Sequence, residues 1–98
     1  MKNNNVYPKY KNKLLMPSKD ASNEMYTIGL TTHECLDVLV HGFECGASKR
    51  AGNVEEKCLR RKNKIIKVVA VERERHWMII HVGMITSSRR KIRRMKKW

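Results

Sequence analysis

The chain has 98 residues, 41% of them hydrophobic, and its 22 Lys and Arg against nine Asp and Glu give a net charge of +13. This length allows one domain with a single modest core. So large a positive excess on so small a chain favours a polyanionic partner, most often RNA or DNA and sometimes an acidic protein. No apolar run approaches the roughly 20 residues that span a bilayer, and the N-terminus lacks the apolar core of a signal peptide. We therefore expect a cytoplasmic protein with no membrane partner.

The first 25 residues are rich in Asn, Lys and Ser, and Pro8 and Pro17 interrupt them. Their apolar residues are scattered, which predicts a basic N-terminal arm that is partly ordered by packing on the domain. Contact of its Lys and Tyr side chains with nucleic acid is an alternative. Met25–Leu30 is expected to be a short extended segment at the start of a single domain that spans residues 26–86.

A helix is predicted over Thr32–His41. Thr31 and Glu34 have the spacing of a capping box, and Gly42 suits the C-terminal stop. The apolar stripe of this helix is formed by Leu36, Leu39, Val40 and Phe43. The stripe predicts that the helix covers one face of a sheet.

Two groups of side chains contain potential metal ligands, but neither group predicts a metal site. One side of the predicted helix holds His33, Asp37 and His41. This spacing is compatible with metal ligands, but a solvated polar stripe explains it as well. The three cysteines are odd in number and lack a CxxC spacing, which predicts reduced thiols. We expect no metal and no cofactor.

Most of the β-branched and aliphatic residues lie between Glu56 and Ile85. Three strands are predicted there, at Glu56–Arg61, Lys64–Val71 and His76–Ile85. Lys62-Asn63 forms a two-residue hairpin turn between the first two, and the polar residues 72–75 join the others. The expected fold is α+β, with one helix packed on a three- to four-stranded antiparallel meander, preceded by the arm and followed by a basic tail.

The hairpin turns also predict which side chains share a face. The first turn sets Leu59 opposite Ile66, and the second sets Ile66 opposite His81. One face then carries Lys57, Arg61 and His81. A His can act as acid or base toward a ribose 2′-hydroxyl, and Lys and Arg can stabilise the pentavalent phosphate. These three are the candidate catalytic residues for RNA cleavage, although His81 also fits a core histidine.

Twelve other cations are candidates for contact with phosphates. A loop with Gly46 and Gly52 lacks the phosphate-loop motif, so no nucleotide site is predicted. Seven of the last ten residues are Lys or Arg, which predicts a nucleic-acid-binding tail over residues 87–98. The candidate nucleic-acid-binding residues are Lys49, Arg50, Arg60, Lys62, Lys64, Arg89, Arg90, Lys91, Arg93, Arg94, Lys96 and Lys97.

The order of elements in this chain is distinctive. A helix begins with THECLDVLVHG and is followed by a loop that contains Gly and Lys, and then by the strand segments EEKCLRRKNKIIKVVAV and HWMIIHVGMI. This order over residues 26–86 resembles the domain of unknown function 4258 type, which is related to the small RelE/ParE/BrnT-like toxins. The resemblance implies a RelE-like fold, cleavage of messenger RNA, an antitoxin partner, and Lys57, Arg61 and His81 as the matching positions.

Two functional hypotheses follow. The first is a ribonuclease toxin that cleaves mRNA through 2′-hydroxyl attack without a metal. The second is a non-catalytic RNA-binding or ribosome-associated protein, in which the basic extensions contact phosphates of messenger or ribosomal RNA.

Overall fold

A computed structural model of the chain describes residues 7–46 and 52–86, and this part contains six strands and two helices. In chain order the elements are β1 (Lys9–Tyr10), β2 (Lys13–Pro17), α1 (Lys19–Ile28), α2 (Thr32–His41), β3 (Phe43–Glu44), β4 (Val54–Arg61), β5 (Lys64–Glu72) and β6 (His76–Thr86).

All six strands belong to one sheet in the order β1-β2-β6-β5-β4-β3. Neighbouring strands are antiparallel except β2 and β6, which run parallel with Leu15 opposite Trp77. The predicted single helix on a three- to four-stranded antiparallel meander is therefore wrong. The architecture is a curled, mixed sheet with two helices.

The prediction of an N-terminal arm is wrong from Lys9 onward, because this part of the chain forms β1, β2 and α1. Local sequence signals set where these elements begin and end. Lys11 and Asn12 adopt positive φ and make the two-residue turn between β1 and β2. The Ser18 hydroxyl then accepts the Ala21 N–H and begins α1, and Gly29 ends the helix in the left-handed conformation. The extended segment predicted at Met25–Leu30 is thus mostly helix.

The second predicted helix is confirmed. It spans Thr32–His41 with the Thr31–Glu34 capping box in place. Both helices pack on one face of the sheet, α1 against β6 and α2 against β4 and β5. We call this the helix face. The main core, on this face, is formed by Tyr10, Leu15, Ala21, Met25, Cys35, Val38, Leu39, Ile66, Val68, Ala70, Trp77, Ile79 and Val82.

The β4–β5 hairpin follows the prediction. Lys62 takes a positive φ in the two-residue turn, and Leu59 lies opposite Ile66. The neighbouring positions of β4 alternate between the two faces. The other face of the sheet, which we call the second face, is defined by the row Phe43, Cys58, Lys67 and Gly83.

The predicted register of β5 against β6 is wrong. Three residues, 73–75, lie between β5 and β6, and Glu72 pairs with Trp77. The register then shifts between Val69 and Ala70. Ile80 is the extra residue of this bulge, because Ile79 lies opposite Ala70 while His81 lies opposite Val69. The shift moves His81 from the predicted helix face to the second face.

The cysteine prediction is wrong for two of the three residues. Cys45 and Cys58 form a disulfide with a Cα–Cα distance of 5.8 Å. Cys35 is free, and its burial together with the charge of Glu34 raises its pKa to about 12. Within the described ranges no group of three potential metal ligands is found. No helix in the same ranges is both long and apolar enough to cross a membrane.

Candidate nucleic-acid interface

Most of the net positive charge of the chain lies outside the residues that the structure describes. Residues 7–46 and 52–86 hold 12 of the 22 Lys and Arg and all nine acidic residues, which leaves +3 of the total +13. The other ten cations lie in residues 1–6, 47–51 and 87–98, seven of them in the last segment. A polyanion-binding surface that uses most of this charge would therefore include the place where the last segment joins the sheet.

The β4–β5 turn is the most basic part of the described sheet. Arg60, Lys62 and Lys64 are exposed there, and we find no hydrogen bond or ion pair from them to another described residue. Arg61 differs, since its Nη2 lies 2.9 Å from Asp37 Oδ2 on α2. Three exposed cations in five residues are thus available to a ligand.

The last strand ends beside this turn. Lys64, the first residue of β5, pairs with Thr86, the last residue of β6. Thr86, from which residues 87–98 continue along the chain, therefore lies beside Lys64 at the β4–β5 turn. We call this end of the sheet, with those three cations and the backbone of Thr86, the basic end.

The other predicted nucleic-acid-binding residues lie outside the described residues. Those in the last segment are Arg89, Arg90, Lys91, Arg93, Arg94, Lys96 and Lys97. Lys49 and Arg50 fall in the gap that precedes Val54. Val54 pairs with Val71 at the far end of β4, roughly 23 Å from the basic end at about 3.3 Å per strand residue.

The structure does not bring the three candidate catalytic residues together. Lys57 and Arg61 lie on the helix face, where Lys57 is half-buried and Arg61 is paired with Asp37. His81 lies on the second face. In this register His81 does not share a face of the sheet with Lys57 and Arg61.

His81 has a partner that the sequence did not predict. Its Nδ1 lies 3.1 Å from Glu24 Oε2, while Glu24 Oε1 accepts the Val82 N–H at 2.8 Å. A Cβ added to Gly83 would lie 3.8 Å from His81 Nε2, so the second ring nitrogen is directed toward this glycine. Glu24 belongs to α1, and without that helix no signal in the sequence could place it beside His81.

Phe43 does not belong to the apolar stripe of the helix, so that part of the prediction is wrong. It lies in β3 opposite Cys58, with 53% of its surface exposed. The helix has already ended at Gly42, where a Cβ would lie 2.4 Å from the carbonyl oxygens of Val38 and Cys58. That close approach directs the following Phe onto the second face.

The second face also carries an ion pair. Lys67 Nζ lies 2.8 Å from Glu56 Oε2, and the Glu56 side chain is only 7% exposed. This pair lies between the positions of Phe43 and His81 in the sheet. The second face therefore combines an exposed aromatic ring, an ion pair and an imidazole.

Comparisons of the chain with protein-family models, with curated proteins and with solved structures find no match. The resemblance to the domain of unknown function 4258 type and to RelE-like toxins accordingly stays a prediction.

Proposed function

We propose that this protein binds RNA without cleaving it, through the basic end of the sheet and residues 87–98. The observation that carries the proposal is the pairing of Lys64 with Thr86, which joins the most basic segment of the chain to the most basic turn of its sheet. The separation of Lys57 and Arg61 from His81 favours binding over the predicted three-residue catalytic site.

Counterion release is the physical basis of such binding. Each Lys or Arg that neutralises a phosphate releases condensed cations, and the logarithm of affinity for a single strand falls by about 0.7 per contact for each tenfold rise in salt. Binding through the basic end and the last segment should therefore be strongly salt-dependent and weakly sequence-dependent.

The test measures the affinity for a mixed-sequence 20-nucleotide RNA between 50 and 300 mM salt. Removal of residues 89–98, and separately the double variant Lys62→Gln and Lys64→Gln, should weaken binding and flatten the salt dependence. The matched control is Arg73→Gln with Arg75→Gln, which removes two exposed cations from the β5–β6 turn at the other end of the sheet. Equal losses in all three variants, or no binding by the intact chain, would refute the proposal.

A ribonuclease centred on His81 is the second candidate, and the Glu24 carboxylate beside Nδ1 is the observation that favours it. A carboxylate in that position orients the ring and leaves Nε2 to take a proton from a ribose 2′-hydroxyl. The 2′-oxygen would attack phosphorus while the 5′-oxygen leaves and takes a proton from water. An antitoxin that covers the second face would control this activity.

Expression in a bacterial host separates the two candidates. A ribonuclease should arrest growth, and His81→Ala should relieve the arrest while the protein remains folded. Unaffected growth at a good yield of intact protein supports binding alone. Both candidates act on RNA, so we expect the protein to work in the cytoplasm, where the Cys45–Cys58 disulfide would meet a reducing environment.

A further inference from the structure

We infer that the RNA bound by this protein is single-stranded, and that it crosses the second face at the basic end with one base stacked on Phe43. The inference rests on the proposed function and adds to it the strandedness of the ligand and the contact that selects it.

The exposure of Phe43 is the first observation. An aromatic ring with 53% of its surface in water loses hydrophobic stabilisation that burial would provide. In the described part of the chain both helices pack on the helix face, so neither of them covers Phe43. An exposed aromatic ring on a sheet surface is a platform on which an unpaired base can stack.

The ring is also held on a rigid backbone. Gly42 fits closely against the carbonyl oxygens of Val38 and Cys58, which fixes the entry of the chain into β3. Phe43 also pairs with Cys58 in β4, so the sheet holds its backbone whether or not the Cys45–Cys58 disulfide is formed. A preorganised ring loses little conformational entropy when a base stacks on it.

Cations lie on the same face and at the same end as the ring. Arg60 follows Cys58 by two residues in β4, so it shares the second face with Phe43 and is its diagonal neighbour. Lys62 follows in the turn, and both cations are exposed. A strand whose base stacks on Phe43 can therefore place its neighbouring phosphates beside Arg60 and Lys62.

This arrangement discriminates between single strands and duplexes. A stacking ring needs a free base face, and the bases of an A-form duplex are stacked on one another inside the helix. Phosphates are present in both. The cations of the basic end should consequently bind either form, whereas Phe43 should contribute only to single strands.

The experiment measures the affinities of the intact chain and its variants for a 20-nucleotide single-stranded RNA and for the duplex of the same sequence. Phe43→Ala should weaken single-strand binding by about 5- to 100-fold, the usual contribution of one stacked base, and leave duplex binding within twofold. Phe43→Trp should restore single-strand binding, and its indole fluorescence should be quenched by the RNA.

The matched control is Tyr26→Ala. Tyr26 is 87% exposed but lies on α1, so its removal should change neither affinity. Unchanged single-strand affinity in Phe43→Ala, or equal losses for both RNAs, would overturn the inference. The effects of the tail deletion and of the double variant Lys62→Gln and Lys64→Gln would still decide the proposed function. Circular dichroism and thermal unfolding of Phe43→Trp show whether the fold is retained.

Discussion

Glu24 on α1 and His81 on β6 are joined at the bulge of the sheet. The carboxylate spans two groups, with one oxygen 3.1 Å from the imidazole Nδ1 and the other accepting the Val82 N–H. Strand β2 pairs with β6 only as far as Ile79, so Val82 lies beyond the end of that pairing. Glu24 therefore supplies an acceptor at an edge position where the ladder has ended.

Replacement of Glu24 by Ala should lower the free energy of unfolding by about 1 kcal/mol, because a buried residue's N–H loses its acceptor. His81→Ala should cost less, since the Glu24–Val82 bond remains and a contact between two exposed polar side chains contributes little. Urea denaturation measures both. Asn23→Ala, at an exposed position of the same helix, is the control. A larger loss in His81→Ala than in Glu24→Ala would contradict this assignment.

Reduction of the Cys45–Cys58 disulfide should destabilise the protein by about 3 kcal/mol, the value expected from chain entropy for a loop of this size. The two cysteines are separated by 13 positions in the sequence. Denaturation curves with and without dithiothreitol measure the difference. Cys45→Ser should unfold at the same midpoint in both conditions, and an intact chain that behaves like Cys45→Ser would show that no disulfide forms.

Stability should fall at acidic pH because of Glu55. Burial raises its pKa, but hydrogen bonds from Lys11 and Tyr10 outweigh this and hold the pKa below the ordinary value of 4.5. The unfolded chain therefore binds the proton more readily, so this contribution is complete above pH 4.5 and is lost as the pH falls through the lower folded pKa. Glu55→Gln should flatten the dependence of unfolding free energy on pH between 3 and 6. An unchanged slope in this variant would exclude Glu55 as its source.

The buried Tyr10 hydroxyl has the opposite dependence. Its burial and the hydrogen bond to Glu55 raise its pKa above the ordinary value of 10.0. The folded state then favours the neutral phenol, so stability is complete below pH 10.0 and declines at higher pH. Tyr10→Phe should remove this alkaline decline in thermal unfolding measured between pH 8 and 11. The Tyr10→Phe curve should otherwise run parallel to that of the intact chain.

Gly42→Ala should lower stability by about 1 to 3 kcal/mol, the typical cost of overpacking. Its added Cβ would meet two backbone carbonyl oxygens at 2.4 Å, and neither can rotate away as a flexible side chain would. Gly52→Ala is the matched control, because a Cβ there meets nothing within 4 Å. The measurement is the thermal unfolding midpoint of each variant. Equal midpoints for Gly42→Ala and Gly52→Ala would show that the chain between α2 and β3 accommodates the added methyl group without loss of stability.

Local signals in the sequence predicted the parts of the fold that depend on neighbouring residues. The Thr31–Glu34 capping box defined α2, and Lys62-Asn63 defined the β4–β5 hairpin and its register. The pairing of β2 with β6 joins residues some 60 positions apart, and no local pattern reports it. Without β2, the residues before Met25 had no sheet to join and were interpreted as an arm.

A single inserted residue explains why Lys57, Arg61 and His81 do not share one face as predicted. Ile80 occupies the bulge and turns His81 to the face opposite Lys57. Strand alternation alone cannot reveal such an insertion, because each side of the bulge still alternates regularly. Arg60, Lys62 and Lys64 lie close together because they belong to one short hairpin, and their contact with nucleic acid stays a prediction.

The parallel pairing of β2 with β6 also has a consequence for biosynthesis. Translation produces β2 some 60 residues before β6, so the strand that contains Leu15 has no parallel partner until Trp77 has been synthesised. Contacts this distant slow folding and leave hydrophobic segments exposed in the meantime. The nascent polypeptide should therefore complete its sheet only after β6 has left the ribosome, and β2 should be accessible to chaperones until then.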